Sequence, residues 1–120
     1  MSKQILVHCT AGKEDEEKAT LPFIIGNVSA TAERDTIVFL TQEGVRIATK
    51  GYAEQIHKEG FVSLKDTLDS FIANGGKVWA CGACTKPRGI TEADLIEGAK
   101  IVTAANLVEV LSNGAVSCTV

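Results

Sequence analysis

Two cysteines three residues apart, Cys81 and Cys84, stand in the stretch VWACGACTKPRGI, with Lys86 and Arg88 close behind them. A pair at this spacing admits several chemistries. Half of a metal site is one, but structural zinc usually takes four ligands supplied as two closely spaced pairs. Here Cys9, Cys118, His8 and His57 are scattered singly, so neither a metal nor another cofactor is expected. A thioredoxin-type dithiol is a second reading. That motif opens a long helix, whereas Pro87 and Gly89 turn the residues after Cys84 into a loop, although a reversible Cys81–Cys84 disulfide suits the spacing. A third reading is one nucleophilic thiolate. Lys86, Arg88 and the free N–H groups of a loop leading into a helix stabilise a thiolate or persulfide anion. The remaining reading is two small buried hydrophobes. Two cysteines at one strand end, beside two cations, favour function over mere burial.

The elements around that loop follow from hydrophobic pattern. Lys3–Cys9 (KQILVHC) and Thr36–Thr41 (TIVFLT) are β-rich runs without helical period, as are Val78–Ala80, Lys100–Val102 and Ala115–Val120. Leu21, Ile24, Ile25, Val28 and Ala32 fall on one helical face, with Pro22 predicting either a kink or a helix start near Thr20. The acidic run Glu14–Glu17 reads as a solvated first helical turn. Residues 42–60 keep a helical spacing broken by Gly51 and Gly60, which predicts a helical excursion followed by a loop. Ser63 and Asp66 make a capping-box pattern for a helix stopped at Gly75-Gly76. Thr91 and Asp94 predict a short capped helix, and Ala104, Leu107, Val108 and Leu111 a last one ended at Asn113-Gly114.

Strands alternating with helices predict an α/β fold with a parallel sheet covered on both faces. Ligands of open α/β sheets bind outside the carboxyl ends of the strands. Cys9 and Cys81 are therefore expected to open onto one edge, joined there by the loops Thr10–Gly12 and Thr41–Gly44. At 120 residues the chain builds one core, and residues 1–120 are read as a single domain. A net charge of −3 without a basic stripe argues against nucleic-acid partners. No apolar run approaches a secretory or bilayer-spanning length, so a cytoplasmic protein with free thiols and no membrane partner is expected.

Cys81 followed seven residues later by Arg88-Gly89-Ile90, at the end of the third strand, resembles the active-site loop of the DsrE/DsrF-like family. The resemblance extends through HCTAGKEDEEKAT, VFLTQEGV, the capped helix before the loop and the last cysteine-bearing strand. It implies a three-layer α/β/α sandwich on a five-stranded parallel sheet, and an oligomer, whether dimer, trimer or hexamer. In the family's sulfur-relay members the cysteine matching Cys81 carries a persulfide between a donor and an acceptor protein. Cys84 is similar instead to a two-cysteine branch, sometimes labelled peroxiredoxin-like. The same resemblance places Thr10, Gly12 and Glu43 on the sheet edge, where turn and capping roles serve equally.

The expectation is thus a sulfur-handling protein, possessing a sulfurtransferase or relay activity. Cys81 is the nucleophile, Cys84 the resolving thiol, and Arg88 and Lys86 the electrostatic stabilisers on a turn made by Gly89. Its partners would be sulfur donors and acceptors and copies of itself. The rival readings are an anion-binding or assembly module with incidental cysteines, and a thiol redox protein. Of the remaining polar and aromatic residues, His8 precedes a cysteine and could act as a base, but as a strand residue it reads rather as a packed histidine; His57 reads as solvated, Trp79 and Tyr52 as core, and Cys118 as buried.

Overall fold

The computed structural model describes residues 3–120. Five parallel strands form one sheet: β1 (Ile5–Cys9), β2 (Thr36–Leu40), β3 (Lys77–Cys81), β4 (Ala99–Val102) and β5 (Val116–Thr119), in the order β4-β3-β2-β1-β5. Four helices accompany them: α1 (Glu16–Thr31), α2 (Leu64–Ala73), the single turn α3 (Gly82–Thr85) and α4 (Ala104–Ser112). The expected three-layer α/β/α arrangement is present.

The strand order decides which face each helix covers. From β1 to β4 every connection steps one strand in the same direction, and right-handed crossovers put all three on one face. The last connection returns across the whole sheet to β5, which sends α4 to the other face. Side-chain alternation then builds two cores. On the first face Val7, Val38, Leu40, Val78 and Ala80 pack under Phe23 of α1 and Leu68 and Phe71 of α2. The Phe23 and Phe71 rings meet edge to face, 6.0 Å between centroids. On the second face Leu6, Ile37, Phe39 and Val102 meet Leu107 and Val110 of α4, with Trp79 and Cys81 of β3 alongside.

Several boundaries differ from the sequence expectation, each for a local reason. α1 starts at Glu16, a turn before Thr20, because Asp15 caps it by accepting from the Lys18 amide at 3.1 Å. Pro22 therefore lies inside the helix and leaves the Lys18 carbonyl without an intrahelical donor. The Cys9 thiol faces that carbonyl at 4.0 Å. Residues 42–60 contain two 3₁₀ segments, Gln42–Ala48 and Ala53–Gln55. The predicted caps at Ser63 and Thr91 are present, the latter on a 3₁₀ turn, Glu92–Asp94. Cys118, expected to be buried, is exposed: β5 is an edge strand, and all four of its residues are open to solvent.

Candidate functional site

Cys81 closes β3 and at the same time caps α3. Its backbone is extended (φ −67°, ψ 122°), and Gly82 begins the helical turn, so Cys81 occupies the N-cap and Cys84 the third helical position. The two positions are one helical turn apart, and the Cys81 side chain makes no capping hydrogen bond. Both thiols are free and half-buried. Cys81 leans on the second-face core and Cys84 on the first.

The location is set by topology. β3 and β4 are neighbours whose onward connections leave for opposite faces, α3 to the first and α4 to the second. The crevice opened by such a divergence is where open α/β sheets bind ligands. Cys81 is paired in register with Val102, the last residue of β4, so it stands at that divergence.

The loop after α3 is fixed by its own backbone. Ile90 N–H donates to the Thr85 carbonyl at 3.1 Å, and Gly89 N–H to Lys86 at 3.1 Å. Gly89 takes φ +70°, a conformation that suits glycine. Two hydrogen bonds fix the Arg88 side chain. Its Nε donates to Glu43 Oε2 at 2.6 Å and its Nη1 to the Cys84 carbonyl at 3.0 Å. Arg46 Nε holds the other oxygen of Glu43 at 2.9 Å. Hydrogen bonds from Arg88 and then Arg46 keep the Glu43 carboxyl below the usual carboxylate range. Arg88, expected as an electrostatic stabiliser of the Cys81 thiolate, ties α3 to the 3₁₀ segment after β2. Lys86 is exposed.

The other expected edge residues are structural in their contacts. Cys9 is wholly buried and does not open onto the edge. Its thiol donates to the Ala11 carbonyl at 3.6 Å, and burial pushes its pKa up to about 12. The Thr10 carbonyl accepts from Gly44 N–H at 3.3 Å. Gly12 is packed so closely that a Cβ there would meet the Tyr52 hydroxyl and lie 2.8 Å from the Glu43 carbonyl oxygen. These contacts bring the β1 and β2 loops together beneath the Arg88–Glu43–Arg46 cluster. His57, exposed as expected, bonds the Phe61 carbonyl at 2.9 Å, and the Tyr52 hydroxyl accepts from Lys13 N–H at 2.7 Å.

His8 is packed as read, but its Thr41 partner and the exposure of Trp79 lay outside the sequence reading. His8 is half-buried next to Phe39, 5.8 Å between ring centroids, and its Nε2 lies 2.7 Å from the Thr41 hydroxyl. Burial lowers the pKa of that imidazole. Trp79, read as core, is only half-buried, with the Lys100 ammonium 5.2 Å above its ring on the neighbouring strand. A period-two pattern could have placed His8 on the face of Leu6, but its partner lies 33 residues away. Among the described residues no three His, Cys, Asp or Glu side chains converge to hold a metal ion, and no helix is long and apolar enough to cross a membrane.

Comparisons with known proteins agree with this architecture. The family model described as the DsrE/DsrF-like family matches residues 3–116. The uncharacterized protein MJ0760 of Methanocaldococcus jannaschii is 28% identical over 91% of the chain and 40% of its own length. The uncharacterized protein MK0008 of Methanopyrus kandleri is 35% identical over 59% of the chain and 55% of its own length. The chain thus spans about half the length of these curated relatives. Among solved structures, the ychN protein from E. coli superimposes with a TM-score of 0.80 at 24% identity, covering 100% of both chains. Protein MTH1491 from Methanobacterium thermoautotrophicum, of unknown function, gives 0.71 at 17% identity over 99% and 100%. Both likenesses are of fold.

Proposed function

The chain belongs to the DsrE/DsrF-like family, and on that premise we propose that it carries sulfane sulfur as a persulfide on Cys81. The observation that supports this reading is the position of Cys81: half-buried, at the divergence of β3 and β4, capping a helical turn that brings Cys84 within one turn of it. The Cys81 thiolate attacks the outer sulfur of a donor such as thiosulfate. The donor's S–S bond breaks, sulfite leaves with the bonding pair, and Cys81–S–S⁻ remains. An acceptor thiolate then attacks the terminal sulfur and frees Cys81. Cys84 supplies a second exit: its thiol attacks the Cys81 sulfur, giving a Cys81–Cys84 disulfide and hydrosulfide. An external dithiol then provides the two electrons that reopen the pair. Arg88 positions this loop through Glu43, and Lys86 offers an exposed positive charge to an anionic donor.

Intact mass after incubation with thiosulfate or polysulfide tests the reading. The expected result is a reductant-sensitive gain of about 32 Da, one sulfur atom, mapped to the peptide containing Cys81. Cys81→Ser should abolish it without unfolding the domain. Loading that persists in this variant, or no loading of the wild type, overturns the proposal. Cys84→Ala should load normally and keep its sulfur longer, and equal lifetimes would remove Cys84 from the scheme.

Self-association belongs to the same proposal. Val108 and Leu111, one turn apart on α4, are 60% and 41% exposed, and Val116 of β5 is 48% exposed, apolar side chains that a second copy of the chain would bury. Light scattering should return a multiple of the 12.7 kDa chain mass, and a monomer would count against it.

A further inference from the structure

His8 has no part in the persulfide scheme, yet it stands on the same face and at the same end of the sheet as Cys81. The registers settle its place. Leu40 pairs with Ala80 as the last pair of the β2–β3 ladder, and Thr41 and Cys81 are the residues that follow it on the two strands. His8 pairs with Phe39, two residues before Thr41. Alternation puts Leu6 and His8 of β1, Ile37, Phe39 and Thr41 of the second strand's line, and Trp79 and Cys81 of β3 on the second face. The packing agrees, since Leu6, Ile37 and Phe39 share one cluster with Trp79 and Cys81. The hydrogen bond between His8 Nε2 and Thr41 Oγ1, 2.7 Å long, spans β1 and β2 on that face. Neighbouring strands are about 4.8 Å apart, so the line of β2, which carries Thr41, runs between the strand of His8 and the strand of Cys81.

We propose that Thr41 and His8 form a proton-accepting pair for Cys81, which rests on the reading of Cys81 as the working thiol. A threonine hydroxyl carries one donor and two acceptor positions. It donates to His8 Nε2, with the imidazole proton on Nδ1, and turns a lone pair towards Cys81. The Cys81 S–H bond breaks as its proton passes through one bridging water to Thr41 Oγ1, and the threonine's own proton passes to His8 Nε2. A thiolate and an imidazolium result, and the total charge is unchanged. When hand-off of sulfur frees the Cys81 thiolate, the imidazolium returns the proton. Burial holds His8 below its ordinary pKa, so it is neutral near pH 7 with a ring nitrogen free to accept, but a weaker base than a solvated imidazole.

The surroundings leave few other groups to imitate the effect. On β2 and β5 the neighbours of His8 are Phe39, Thr41 and Thr119, all uncharged. β3 and β4 contribute Cys81 itself with Lys77 and Lys100, and the only ionisable residue of α4 is the exposed Glu109.

The test is the alkylation rate of Cys81 by iodoacetamide, followed by peptide mass from about pH 5.5 to 9, across the titration range of a histidine. Wild type and Thr41→Ser should both show a step on the acid side, below the ordinary histidine pKa, where protonation of His8 removes the acceptor. His8→Gln and the near-isosteric Thr41→Val should lose the step and react several-fold more slowly at pH 7. Circular dichroism checks that each variant is folded, and Thr41→Val carries the test if His8→Gln is not. Superimposable curves for wild type and Thr41→Val overturn the proposal. A step lost in Thr41→Ser as well also overturns it, since only packing would then be at work. Sulfur loading, measured separately, can fail in the wild type without touching the pH step, so the two ideas stand or fall apart.

Discussion

The two faces of the sheet are built to different standards. The first carries α1, α2 and the segments around residues 42–56 and 90–96, and its central side chains, Val7, Val38, Val78, Phe23 and Phe71, have no exposed surface. The second carries a single nine-residue helix with no fully buried residue, and Trp79, Leu107 and Val110 are only partly covered. The strands themselves do not explain this, for β2 is buried along its whole length on both sides. The cause is the strand order, which assigns three of four connections to one face. Stability therefore resides where packing is complete, and the thiol of Cys81 lies where it is not, which leaves it accessible without opening the main core.

The sharpest way to break this contrast is to remove one large side chain from each face. Phe71→Ala should cost about 3–5 kcal/mol, as loss of a fully buried phenylalanine does, and leave the domain close to unfolding. Leu107→Ala, on the thin face, should cost roughly 1 kcal/mol, near the ordinary cost of a point mutation. Urea denaturation of both variants decides. Comparable losses would mean that the second face is fully covered in solution, and a concentration dependence confined to Leu107→Ala would identify a second copy as the cover.

Cys9 and Cys81 extend the contrast to chemistry, one thiol from each face. Burial raises the Cys9 pKa to about 12, whereas an unfolded chain ionises near 8.5. With the folded value raised, the stabilisation is complete below the unfolded pKa and is lost as pH rises towards the folded one. Stability should accordingly fall by about 1.4 kcal/mol per pH unit above pH 9 from this group alone. Cys9→Ala should flatten that part of the curve while costing packing energy at neutral pH. An unchanged alkaline slope would show that Cys9 is reached by solvent. His8 gives a smaller effect of opposite direction. Its folded pKa is lowered, so the unfolded state binds the extra proton first, and stability should decline as pH falls through 6.5. His8→Gln should remove that decline in a denaturation series, and a decline that persists would assign it to other groups.

The pattern of what could be read from sequence follows the same division. The five strands, the caps at Ser63 and Thr91 and the place of Cys81 at a strand's carboxyl end were legible because each is decided by residues within a few positions of one another. The exposure of Cys118 was not, since an alternating strand looks alike at the edge and in the middle of a sheet, and only the strand order separates them. Burial of Cys9 escaped for a related reason: the helix that covers it begins a turn earlier than Pro22 suggested. The partnerships of Arg88 with Glu43 and of His8 with Thr41 span 45 and 33 residues, distances over which no periodicity speaks.

Arg88 is where the smallest effect tests the finest distinction, whether the cation beside the cysteines acts by charge or by position. Its guanidinium makes two bonds at once, one to Glu43 and one to the Cys84 carbonyl at the end of α3. A lysine keeps the charge but has no planar fork with which to reach both. If position is what counts, Arg88→Ala and Arg88→Lys should slow sulfur loading of Cys81 alike, by a few-fold, because α3 is released in both. If charge is what counts, Arg88→Lys should stay close to wild type. The stability cost should be at most about 1 kcal/mol, as for other partly exposed ion pairs. It should also depend on pH in a defined direction. Arg88 and Arg46 hold the Glu43 carboxyl below its ordinary range, so the pair's contribution is present above the ordinary carboxylate pKa and disappears as pH falls through the lowered value. Arg88→Ala and wild type should then differ in stability at pH 7 and converge in acid. A difference that survives in acid would show that the bond to the Cys84 carbonyl, and not the ion pair, is what fastens the cysteine loop to the rest of the sheet edge.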